Sequence, residues 1–126
     1  MRLQRQTDSA GTPDHPITIT AAPHRVRVTF AGHVVADTRR ALVLAEASYA
    51  PVVYFPPEDV DLTMLERTDH KTRCPYKGEA SYYSIRAGER IAQNAVWSYQ
   101  QPLAAVAAIA GYMAFYPNRV DSLELG

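Results

Sequence analysis

The chain's only cysteine, Cys74, lies in a run of reactive and charged side chains, TDHKTRCPYKGEASYY (residues 68–83). Lys71, Arg73 and Lys77 surround it with positive charge, and a positive field raises the thiolate fraction of a thiol. His70, four residues earlier, is a candidate proton partner if the segment folds back on itself. Lys77 precedes Gly78, a pairing suited to an anionic group, because glycine permits close backbone approach and lysine supplies a point charge. Each of these residues has a plainer role available. Free cysteine is among the most buried residue types, Pro75 and Gly78 can simply fix a turn, and a turn lysine is commonly solvated. Local sequence alone favours the packing role for Cys74.

Other chemistries are less well supplied. A structural zinc needs four ligands, and the chain offers one cysteine with His15, His24, His33 and His70 scattered outside any shared motif. No metal and no cofactor are therefore expected. Neither glycine-rich phosphate loop is present. The Asp59-Val60-Asp61 triplet has a form that can hold magnesium for nucleotidyl transfer. It also opens a segment with helical character, where acids act as caps and dipole partners, and that role is favoured. Tyrosine is abundant, with eight copies. Strand alternation sends the adjacent Tyr82 and Tyr83 to opposite faces, one inward and one outward. Rings with polar tips, such as Tyr54 and Trp97, suit the wall of a pocket for a flat ligand. Asn94 and Trp97 are three apart and face opposite sides of a regular strand, so a joint role requires a bulge.

The elements that must position these residues are mostly strands. Thirteen basic residues balance thirteen acidic ones, with no basic block, so no nucleic-acid partner is expected. The longest apolar run is too short to span a membrane, and the N-terminus lacks a secretory pattern. A single cysteine fits a reducing compartment, and a cytoplasmic location is expected. Residues 1–14 read as a flexible tail and 15–126 as a single β-rich domain. PITIT (16–20) reads as an edge strand, and RVRVTF (25–30) with VVADT forms a hairpin. ALVLAEAS (41–48) and PVVYFPP (51–57) read as further strands. EASYYSIR and RIAQNAVWSY form a second hairpin, and YMAFY (112–116) is a late strand. Short helices are expected near 58–67, where acids precede apolar residues and Arg67, and near 103–110, where Leu103, Val106 and Ile109 recur. The expected fold is mainly β, a small curled arrangement of antiparallel sheets with one or two short helices.

The segments HPITI, VRVTFAGHVVADTRRALVLAEASYAPVVYFPPEDV, DHKTRCPYKGEASYY, NAVWSY and IAGYMAFYPNRVD together resemble one bacterial and fungal family. It is domain-of-unknown-function family 427, sometimes carried under a nucleotidyltransferase heading, and the resemblance covers about residues 14–124. It implies a β-tent fold like that of B-type methionine sulfoxide reductases and zinc-binding guanine-nucleotide-exchange helpers. Many proteins of that fold group hold zinc in two Cys-x-x-Cys pairs, which this chain lacks. The family signature falls on His70, Thr72, Cys74, Pro75, Lys77, Gly78, Tyr83 and Trp97, and so raises the standing of a site there. Three roles stay open. In the leading reading, an enzyme binds a small molecule between the sheets, with Cys74 as nucleophile, His70 as proton partner and Lys77 as anchor for an anionic group. Tyr54, Thr72, Tyr83 and Trp97 would contact the ligand. The alternatives are a nucleotidyltransferase-type protein using Asp59, Asp61 and Lys77, and a noncatalytic binding or interaction module. Monomer and homodimer are both compatible with the sequence.

Overall fold

Alternating apolar and polar residues set most of the local structure, because a strand sends successive side chains to opposite faces. The computed structural model describes residues 8–12 and 15–125. Its strands are β1 (Asp8–Thr12), β2 (His15–Ala21), β3 (Val26–Phe30), β4 (His33–Thr38), β5 (Leu42–Glu46) and β6 (Val52–Tyr54). They continue as β7 (Leu65–Cys74), β8 (Gly78–Ala87), β9 (Arg90–Ser98), β10 (Met113–Phe115) and β11 (Ser122–Leu125). Three antiparallel sheets result: a first of order β1-β2-β5-β6, a second of order β11-β3-β4, and a third of order β10-β9-β8-β7. The fold is the small, mainly β single domain that the sequence implies.

The third sheet is covered on both faces. One face carries Ile85, Val96, Met113 and Phe115 against Val26, Val28 and Phe30 of the second sheet. The other carries Ala80, Tyr82 and Ala114 against Ile17, Ile19, Leu44 and Tyr54 of the first. Burial of each large side chain is worth about 1.5–3 kcal/mol. Phe55, just past β6, exchanges backbone hydrogen bonds with Met113 in both directions (2.7 and 2.8 Å). The first and third sheets therefore meet along β6 and β10, with a seam between them. This is the curled arrangement in physical terms.

Both expected hairpins are present. In the first, β3 and β4 are joined by Ala31 and Gly32, each at positive φ (52° and 80°), the geometry a two-residue turn needs to match strand twist. β8 and β9 form the second. Four local expectations are corrected. Asp8–Thr12, expected within a flexible tail, is a strand paired with β2, so β2 is an interior strand, not an edge. The remainder of that tail, residues 1–7 and 13–14, lies outside the described residues.

The helix expected over 58–67 is instead two 3-10 turns, Pro57–Asp59 and Leu62–Met64, followed by β7. Val60 between them is extended and bridges Ala36, while Asp61 N–H donates to the Val35 carbonyl at 2.7 Å. Pairing with β4 thus takes the backbone groups a helix would have used. The segment near 103–110 is a 3-10 stretch, Ala104–Ile109, kinked at Val106, and it buries Val106 and Ile109 under the seam. Among the described residues, no helix is long and apolar enough to cross a membrane.

Candidate functional site

The signature run is a hairpin tip. β7 ends at Cys74, β8 begins at Gly78, and Lys77 N–H donates to the Cys74 carbonyl at 3.2 Å to close the turn. Leu103 N–H donates to the Lys77 carbonyl at 2.9 Å, tying the tip to the chain before the 3-10 stretch. Gly78 has φ +113°, and a Cβ there would meet the backbone of Pro102 and Leu103 at 3.5 Å. The strained φ, more than the space, demands glycine. Held this way, Lys77 turns inward and is 7 % exposed.

A buried ammonium needs a counter-charge. Lys77 Nζ donates to Glu46 Oε1 at the end of β5, and the other oxygen of Glu46 meets His15 Nε2 at 2.6 Å. The His15 ring stacks on Tyr76, with centroids 4.0 Å apart and planes 7° from parallel. Burial pushes the Glu46 carboxyl up, but its bonds to Lys77 and His15 outweigh that and hold it below the ordinary range. Third and first sheets are therefore clasped opposite their β6–β10 join, by a pair 31 residues apart in sequence.

Behind the clasp the seam is lined with tyrosine. Tyr54 and Tyr99 are pushed up, first by burial and then by the neighbouring acids Glu46, Cys74 and Tyr82. Trp97 Nε1–H donates to the Tyr54 hydroxyl at 3.3 Å, and Trp97 packs on Tyr116 with centroids 4.5 Å apart. Tyr116 is pushed up to about 12, by burial and then by Tyr82 beside it. These phenols stay protonated at neutral pH, and the Tyr54 hydroxyl accepts from Trp97. Cys74 is half-buried at the edge of the same cluster.

The sequence-derived residues divide accordingly. Cys74, Lys77, Tyr54 and Trp97 do gather around the seam. His70 does not reach Cys74: four residues along an extended strand span roughly 13 Å. It is exposed and sits edge-on to Tyr82, with centroids 4.5 Å apart. Thr72 is exposed and shares a hydrogen bond with the Tyr82 hydroxyl at 2.9 Å. Tyr83 points to the opposite face, into the second-sheet core, and Tyr82 is the tyrosine of the seam. Lys77 is engaged by Glu46 and is not a free anchor.

The bulge required near Asn94 exists. Three residues, 93–95, oppose Ser84 alone, and Asn94 adopts φ 50°. A second irregularity in β7 lies alongside, and Thr68 Oγ1 bridges the two by donating to Asn94 Oδ1 at 2.6 Å. Asp61 caps its 3-10 turn by accepting from Thr63 N–H at 3.1 Å, the favoured role. Asp59 accepts from Thr38 Oγ1 at 2.6 Å and from Arg40 at 3.3 Å.

Sequence reasoning missed Glu46, His15 and Tyr99. A lone carboxylate closing the apolar run ALVLAE was a usable signal for Glu46, since an acid in such a strand implies a partner. His15 offered only its proximity to a strand start.

No curated protein matches the chain. The family model described as a domain of unknown function, DUF427, matches residues 18–126, which leaves His15 just outside the matched segment while Glu46, Cys74 and Lys77 fall within it. The signature residues and this match over most of the length place the chain in the DUF427 family.

Proposed function

We propose that the protein binds a small molecule at the mouth of the tyrosine-lined seam, with Cys74 as the reacting group. One juxtaposition carries this reading. The single thiol stands half-buried where the turn bearing Lys77 meets a set of protonated phenols. Buried donors of that kind suit a carbonyl or carboxylate on the ligand, because a donor preorganised in a dry site is worth more than one in water. Lys77 serves by holding the tip rigid, its ammonium fixed and its charge matched by Glu46.

A second reading, a noncatalytic binding module, is favoured by the saturation of Lys77. Its ammonium is already paired, so the tip can be understood as a structural clasp.

Alkylation of the folded protein with iodoacetamide, followed by intact mass, separates the two. The catalytic reading expects labelling of native protein at pH 7.5. Labelling only in denaturant makes Cys74 a packing residue and leaves the noncatalytic module standing.

A further inference from the structure

The face of the hairpin turned away from the seam carries a separate feature. β7 alternates, so Cys74 and Thr72 face the tyrosines while Arg73 and Lys71 face the other way, with Arg67 beyond the bulge on that same side. They line an open groove of about 400 Å³ together with Ser81, Glu79 and Gln100. Three cations there face one carboxylate, in a chain whose formal net charge is zero.

Pairing distinguishes this cluster from other arginines. Arg25, Arg86 and Arg90 each make two bonds to a single carboxylate, on Asp37, Glu66 and Asp121 respectively. Among the described residues, neither Arg67 nor Arg73 has a carboxylate partner. Lys71 approaches Glu79 only at 3.7 Å, with both side chains half exposed. Arg67 is nevertheless oriented: it donates to Oγ of the buried Ser81 at 2.9 Å and lies over the Tyr83 ring at 5.8 Å. Its remaining donors have no carboxylate to satisfy them.

The geometry points to a binding site for a diphosphate group in this groove. Guanidinium forks match phosphate oxygens in pairs, and two forks with an ammonium between them suit a ligand with two adjacent phosphates. The groove's volume is of small-ligand size. Its positive charge stops at Gln100 and Gln101, so it does not continue as the basic stripe a nucleic acid would follow. The site is distinct from the seam and stands whether or not Cys74 is reactive.

Titration of the full chain with sodium pyrophosphate, at constant ionic strength set with sodium chloride, tests it by calorimetry. Saturable binding is expected, weakened at least tenfold by Arg73→Gln and unchanged by Arg86→Gln. Arg73 is exposed, so the variant keeps the fold, and Arg67→Gln provides a second reading of the same site. Adenosine diphosphate separates the ligand sources: tighter binding than pyrophosphate indicates an organic diphosphate, equal binding an inorganic one. Absence of saturable binding, or equal loss with Arg86→Gln, overturns the site. So does tighter and more salt-sensitive binding of a twelve-nucleotide single-stranded RNA, which would make the groove part of a nucleic-acid surface.

Discussion

The two faces of one hairpin treat positive charge in opposite ways. On the seam side Lys77 is 7 % exposed and is matched at once by Glu46, which His15 completes. On the groove side Arg67, Lys71 and Arg73 stand in solvent against Glu79 alone. Burial explains the difference. An ammonium withdrawn from water is tolerated only with a partner, whereas an exposed guanidinium keeps its hydration and can wait for a ligand. The clasp at the seam is thus matched for stability while the groove keeps its charge exposed, although a single hairpin builds both.

The largest effect should come from breaking the matched side. Lys77→Ala leaves the half-buried Glu46 with only His15, and the loss should approach about 3 kcal/mol, the lower end for breaking a fully buried pair. A urea titration should show the midpoint falling sharply. Adding Glu46→Gln to that variant should cost much less than Glu46→Gln alone, because the partner is already gone. Independent, additive losses would show that Lys77 and Glu46 do not act as a pair.

Acid should reach the same contact by another route. The folded carboxyl of Glu46 lies below its ordinary value of 4.5. Its contribution is therefore complete above pH 4.5 and is lost as pH falls through the lower, folded value. Asp37, Glu66 and Asp121 are lowered by their arginine partners, and Asp121 also by the Ala31 N–H, so they act in the same direction. The difference between wild type and Glu46→Gln isolates the clasp: the two stability curves should converge below pH 4.5. Parallel curves down to pH 3 would remove Glu46 from the acid response.

Much of this was legible in the sequence because the strand period is short and local. Val26, Val28 and Phe30 alternate, and all three are buried. What escaped depended on contacts far along the chain. The segment around Val60 has helical charge order, but a bridge to Ala36 decided its conformation. Alternation separated Tyr82 from Tyr83 without telling which of two cores each would enter, since the third sheet is covered on both faces. The grouping of Cys74 with His70 assumed a loop where the chain is extended. Glu46 joined the site only through folding of one sheet over another.

At the bulge on β9 around Asn94 a smaller loss is expected. Asn94→Ala removes the acceptor for Thr68 Oγ1 and puts a residue less tolerant of φ 50° there. A cost of about 1–2 kcal/mol follows, read by thermal unfolding. Asn94→Gly should recover part of it by relieving the backbone, unless the side-chain bond to Thr68 carries the whole effect.

The unmatched side should respond least, and with the opposite sign. Arg73 has no carboxylate partner among the described residues and shares its face with Lys71 and Arg67, so in the absence of an anion it adds repulsion. Arg73→Gln should raise the thermal midpoint slightly, by about one degree or less. The gain should fade between 20 and roughly 500 mM salt, as the screening length contracts from about 20 Å to a few ångströms. A destabilised Arg73→Gln, or a gain that persists at high salt, would mean that Arg73 holds the fold through contacts other than charge. The contrast between the faces would then lie in packing, not in vacancy for a ligand.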